Sequence, residues 1–116
     1  MGTIIVLDDE MLIAMDVEHV LTEAGYDVTI STTRSDASQA LERMTPDLAI
    51  IDVLLTDGDS SAIAETLIAR SVPFIVYTGD HGLDLGTVYQ RGAYLGKPAM
   101  PQDLLEAVQA MLREQR

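Results

Sequence analysis

Cysteine is absent from this sequence. That excludes a disulfide framework and a thiolate metal site, and it suits a reducing compartment. Basic residues are scarce: 7 Lys and Arg stand against 19 Asp and Glu, a formal net charge of −12. Duplex binding rests on Lys and Arg neutralising phosphates, so no nucleic-acid partner is expected. A basic protein partner or a metal cation is compatible with the charge, and most of the acids read as a solubilising surface. No apolar run approaches the length of a membrane span, so no membrane partner is expected. No basic leader precedes the first apolar run. Repeats, low-complexity tracts, linkers, and Walker-type or dinucleotide glycine motifs are missing as well. The expectation is one cytoplasmic domain over residues 1–116, long enough to bury a core without staples.

What is present alternates. Ile4 to Leu7 is a continuous apolar run, as in a strand covered on both faces. Ile13, Val17, Val20, Leu21 and Ala24 follow at helical spacing, and Gly25 stops that helix. Tyr26 to Ile30 reads as an outer strand. Ala37, Ala40, Leu41 and Met44 mark a second helix, closed by Pro46. Leu48 to Ile51 is a second fully apolar run, followed by a polar loop and a third helix with Ile63, Leu67 and Ile68 on one face. "PFIVYTG", opened by Pro73, is a third apolar run. From Asp80 to Gly92 any helix is weakened by Gly82, Gly86 and Gly92, each interior Gly costing roughly 1 kcal/mol relative to Ala. "AYLGKP" reads as a short last strand, and Leu104, Leu105, Val108, Met111 and Leu112 give a closing amphipathic helix. Strand–helix alternation implies an α/β fold: a parallel sheet with helices on both faces and right-handed crossovers.

Open parallel sheets form their sites at the carboxyl ends of the strands. There the chain places Asp8 and Asp9, then Asp52, then Thr78, then Lys97 and Pro98. Clustered carboxylates are unfavourable unless a positive charge lies among them. A hard divalent cation with oxygen ligands such as Mg²⁺ is the natural filler, and it also accepts phosphate oxygens. A carboxylate beside it could act as nucleophile and form an acyl phosphate, with Lys97 and Thr78 serving other phosphoryl oxygens.

These residues carry a resemblance. "VLDDE" with Asp8 and Asp9, "LAIIDVLL" with Asp52, "VYTG" with Thr78, and "AYLGKP" with Tyr94, Lys97 and Pro98 together resemble the CheY-like receiver domains of two-component response regulators. The match covers nearly the whole chain, in order and at compatible spacings. It implies a doubly wound, five-stranded, flavodoxin-like sheet of order 2-1-3-4-5, here with a weak or shortened fourth helix. It implies Asp52 as phospho-acceptor; Asp8, Asp9, Asp52 and the Leu54 carbonyl as the Mg²⁺ site; Thr78 and Lys97 as phosphate-sensing groups; and Thr78 with Tyr94 as the switch. A cis Lys97–Pro98 bond is implied too. The function implied is Mg²⁺-dependent phosphotransfer from a sensor histidine kinase or phosphotransfer protein, switching a surface for a downstream protein. Such a domain is not a turnover enzyme in the usual sense; it catalyses its own phosphorylation and dephosphorylation. With the chain ending just after its last helix, a stand-alone receiver is expected.

There are departures. Thr56 stands where relatives commonly carry Pro, Ser60 where they carry Gly, and Gly79 where Ala or Ser is usual. "DVLLTDGDS" and "PFIVYTG" resemble a stand-alone alphaproteobacterial subfamily known for a "FATGUY" motif, although Asp80-His81 replaces the end of that motif. Asp80 and Leu54 hold positions that in relatives influence phosphoryl lifetime. Two other readings are set beside this one: a pseudo-receiver that binds a partner without phosphorylation, and a small hydrolase using Asp52 as nucleophile. Glu10 reads as an acid favouring the positive end of the next helix. His19 reads as a solvated helix residue. His81, in the loop after Thr78, reads as a loop histidine. "DGDSS" fails as a calcium loop, because Ala62 and Ile68 stand where Gly and Glu are needed.

Overall fold

The computed structural model describes residues 2–79 and 87–114. Asp80, His81, Gly82 and Gly86, on which part of the reading above rested, lie outside the described residues. The chain order is β1 (Thr3–Leu7), α1 (Met11–Glu23), β2 (Asp27–Ser31), α2 (Arg34–Arg43), β3 (Leu48–Ile51), β4 (Leu54–Leu55), β5 (Gly58–Asp59), α3 (Ser61–Ala69), β6 (Phe74–Thr78), a 3-10 helix (Thr87–Arg91), β7 (Ala93–Gly96) and α4 (Pro101–Glu114). Five parallel strands pair in the order β2-β1-β3-β6-β7, while β4 and β5 form a separate antiparallel hairpin. With the hairpin set aside, this is the expected 2-1-3-4-5 order. In the described part of Asp80 to Gly92, only the 3-10 helix stands where a fourth full helix would pack.

The apolar runs follow from burial on two sides. Side chains alternate across a strand, so Ile4, Val6, Leu48, Ile50, Ile75 and Tyr77 face α1 and α4. Ile5, Leu7, Ala49, Ile51, Phe74 and Val76 face α2 and α3. The edge strands β2 and β7 are less buried, which explains their weaker pattern.

Helix ends are chemically marked. The N–H of Gly25 donates to the Thr22 carbonyl at 3.0 Å and that of Tyr26 to Leu21 at 3.1 Å, the paired bonds of a Schellman end. That turn needs a left-handed residue, and Gly25 supplies it at φ +99°. At the start of α2, Thr33 accepts from the Asp36 N–H at 3.0 Å, an N-cap bond. The Lys97–Pro98 bond is cis.

The chain leaves β1 for the edge strand β2 and then returns to β3 on the other side of β1. The carboxyl ends of β1 and β3 therefore flank the point where strand order reverses, and both are followed by acids.

Candidate functional site

Strand register brings the candidate residues together. Asp8 follows β1 and its N–H donates to Ser31 at 3.1 Å; Asp52 follows β3 and donates to Leu7 at 2.9 Å; Lys97 follows β7 and donates to Thr78 at 3.0 Å. Each is held by a main-chain bond to the neighbouring strand, so the side chains start from rigid positions. They meet at a cleft of about 460 Å³ lined by Asp9, Glu10, Asp52, Leu54, Thr78 and Lys97 among others. A larger groove of about 660 Å³ opens at the opposite end of the sheet, by Asp47, Arg70 and Arg113, and holds none of these groups.

The Lys97 ammonium lies at the centre. It is 2.7 Å from Asp8 Oδ2, 2.8 Å from Asp52 Oδ2 and 3.7 Å from Glu10 Oε1. Tyr77 supports it from the side, its ring centroid 5.6 Å from the ammonium, within cation–π reach. The Tyr77 hydroxyl also accepts the Ala99 N–H at 3.1 Å, anchoring the turn just past Lys97. Asp52 Oδ1 accepts the N–H of Val53 at 2.8 Å, and Asp8 Oδ1 accepts that of Glu10 at 2.9 Å.

Burial and charge compete here. Burial pushes the Asp8 carboxyl above its ordinary range, outweighing the hydrogen bond and charge of Lys97. Burial also pulls on the Lys97 ammonium, downward, but the hydrogen bonds and charges of Asp52 and Asp8 overcome it and raise its pKa. One ammonium is thus shared among carboxylates that it does not fully compensate. Carboxylate oxygens of Asp8, Asp9, Glu10 and Asp52 all lie within 4.8 Å of one another. That all-oxygen, all-anionic donor set fits a hard divalent cation.

Of the residues marked in the sequence, Asp8, Asp9, Asp52, Leu54, Thr78 and Lys97 are brought to one place. Thr78 is buried at the cleft. Tyr94 is not part of the cleft lining; it lies on β7 beside Val76 with its side chain half exposed. Glu10 was read as a helix-end acid. It does occupy the N-cap position of α1, but its side chain makes no cap bond and lies near Lys97 instead. The signal was its place directly after two site acids, a weak one. Ser60 and Tyr89, which meet behind Asp52 at 3.2 Å, were not assigned a role.

The sequence profile of the response regulator receiver domain matches residues 4–109. Over 122 aligned residues the chain is 32% identical to the transcriptional regulatory protein GltR of Pseudomonas aeruginosa, covering 96% of this chain and 49% of that protein. The chain thus spans about half the length of that curated relative. Among solved structures, a response regulator receiver domain protein (CheY-like) from Methanospirillum hungatei matches with a TM-score of 0.90 at 29% identity, over 99% of this chain and 96% of that one. A two-component response regulator from Clostridium difficile matches with a TM-score of 0.90 at 20% identity, over 100% and 99% of the two chains, a likeness of fold alone.

Proposed function

We propose, because this chain belongs to the response regulator receiver domain family, that Asp52 accepts a phosphoryl group from the phosphohistidine of a sensor histidine kinase or phosphotransfer protein. The observation that carries the reading is the Lys97 ammonium held between Asp8 and Asp52 at 2.7 and 2.8 Å, beside further carboxylates. An Asp52 oxygen attacks phosphorus, the P–N bond of the donor breaks, and the imidazole leaves. The product is an acyl phosphate on Asp52. Such a transfer needs mainly positioning and charge neutralisation. Lys97 turns from the Asp52 carboxylate to a phosphoryl oxygen. Thr78, at the same cleft, donates its hydroxyl to another.

The oxygen donors fit Mg²⁺, with Asp8, Asp9, Asp52 and the Leu54 carbonyl as the residues that would hold it. A bound Mg²⁺ would neutralise charge on the phosphoryl oxygens. The phosphorylated state then biases a two-state surface that includes Thr78 and Tyr94, and a downstream protein reads that bias. Residues 1–116 act in this reading as a single receiver unit.

The test is intact mass after incubation with Mg²⁺ and phosphoramidate. One added phosphoryl group is expected, absent when metal is withheld and absent in Asp52→Asn. Labelling that persists in Asp52→Asn would place the acceptor elsewhere and overturn the assignment.

A further inference from the structure

Ser60 lies one residue before α3 and is wholly buried. Its hydroxyl oxygen is 2.6 Å from the main-chain oxygen of Asp52. A carbonyl only accepts, and a serine hydroxyl has one proton, so Ser60 donates to Asp52. The same serine oxygen is 3.2 Å from the Tyr89 hydroxyl. With its own proton committed, Ser60 accepts there and Tyr89 donates. The direction of the chain is therefore settled: Tyr89 to Ser60, Ser60 to the acceptor's carbonyl. The Ser60 N–H also donates to the Val53 carbonyl at 2.9 Å, so one residue grips two successive carbonyls, that of Asp52 and that of the residue after it.

Tyr89 comes from the 3-10 helix Thr87–Arg91. Its ring is buried among residues that include Val53, Ile63 and Leu67. The segment seats closely, since a Cβ on Gly92 would come within 2.5 Å of the Phe74 ring. Burying two hydroxyls costs stability unless each is paired. Here both are paired, and the pairing ends on the peptide of Asp52.

We propose that Ser60 and Tyr89 are positioning residues for Asp52, their hydrogen-bond chain holding the peptide that carries it and tying that peptide to the 3-10 helix. The proposal rests on receiver chemistry at Asp52 and adds a control on that same site. Tyr89 touches no reacting atom and acts only through Ser60. Strain on the Asp52 peptide is felt at Thr87–Arg91, and a shift of that helix is felt at Asp52.

The experiment uses the full chain with Tyr89→Phe, Ser60→Ala and both together. Initial rates of Asp52 phosphorylation by phosphoramidate with Mg²⁺ are followed by intact mass across donor concentrations. Ser60→Ala is expected to lower the maximal rate roughly tenfold, the scale of one lost hydrogen bond to the peptide that positions the reacting carboxylate. Tyr89→Phe is expected to lower it by a smaller factor. In both, the half-saturating donor concentration stays unchanged, because the donor's own contacts are intact. The double variant is expected to be no slower than Ser60→Ala, since Tyr89 acts through Ser60. Multiplying effects of the two substitutions, or a Tyr89→Phe rate equal to wild type, overturn the proposal. Tyr89→Phe removes a single oxygen, so it decides the matter even if Ser60→Ala fails to fold. A wild-type chain that takes no phosphoryl group on Asp52 overturns the receiver reading itself, and the positioning role with it. A phosphorylated wild type with an indifferent Tyr89→Phe overturns only the latter.

Discussion

Lys97 holds Asp8 and Asp52 apart and together at once. Both carboxylates are largely shielded from water, and the ammonium between them is too. Removing one partner of such a cluster leaves the other charges uncompensated, which costs more than the pair itself contributes. Lys97→Ala is therefore expected to lose about 3 kcal/mol of stability near neutral pH, read from the midpoint of urea unfolding. Adding Mg²⁺ is expected to restore part of that loss, because a divalent cation replaces the missing charge. A midpoint equal to wild type in metal-free buffer would show that the carboxylates repel less than their distances imply. The convergence of Asp8, Asp52 and Lys97 was legible in the sequence because each follows an apolar run, and a strand's carboxyl end is where such a fold gathers chemistry. Glu10 was not, because helix-start and site positions coincide there. Tyr77 was hidden for another reason: its neighbours in sequence are core residues, and its contacts to Lys97 and Ala99 come from a different strand's end.

At the scale of elements, the hairpin β4–β5 shows how a polar loop gains structure. Asp57 accepts the main-chain N–H of Arg34 at 2.9 Å and of Ser35 at 3.2 Å. It thus satisfies the first turn of α2 from a distant loop, alongside the helix's own Thr33. The Arg34 guanidinium in turn reaches the Asp59 carbonyl at 3.2 Å. The N–H of Arg34, followed by that of Ser35 and the Arg34 charge, holds the Asp57 carboxyl below its ordinary range. A carboxylate whose folded pKa is depressed stabilises the fold above its unfolded pKa and loses that contribution as pH falls through the folded one. Asp57→Ala is accordingly expected to be less stable than wild type near neutral pH. The gap is expected to close as pH drops below the ordinary carboxylate range, measured by urea unfolding across pH. A gap that stays constant with pH would assign the loss to packing rather than charge. The sequence showed "DGD" here, but nothing in it pointed to a hairpin. Hairpin arms of two residues each are too short to display a strand period. The longer elements were legible for the converse reason, with the outer strand beginning at Asp27 rather than Tyr26. Ser60 was visible as a departure from its relatives, but its meaning depends on Tyr89, 29 residues away, which no local pattern reveals.

The whole molecule carries a net charge of −12, and among the described residues no helix is long and apolar enough to cross a membrane. Self-repulsion of that size destabilises a compact state, so any added salt is expected to help somewhat through screening. A specific cation does something different. It would bind the folded chain, where Asp8, Asp9, Glu10 and Asp52 converge, and would find no such four-carboxylate cluster once the chain unfolds. At a concentration about 100 times its dissociation constant, a single-site ligand adds about 2.7 kcal/mol. For a domain of 116 residues that corresponds to a rise in Tm of roughly 10 °C. Calorimetry with Mg²⁺, with chelator, and with sodium chloride at matched ionic strength separates the two effects. The Mg²⁺ curve is expected to lie well above the sodium curve and to saturate. Asp9→Asn is expected to bring the two curves together while leaving the sodium response in place. Sodium matching Mg²⁺ in the wild-type chain would mean that the acidic end of the sheet responds to ionic strength alone. The oxygen cluster would then be a consequence of the charge balance rather than a metal site.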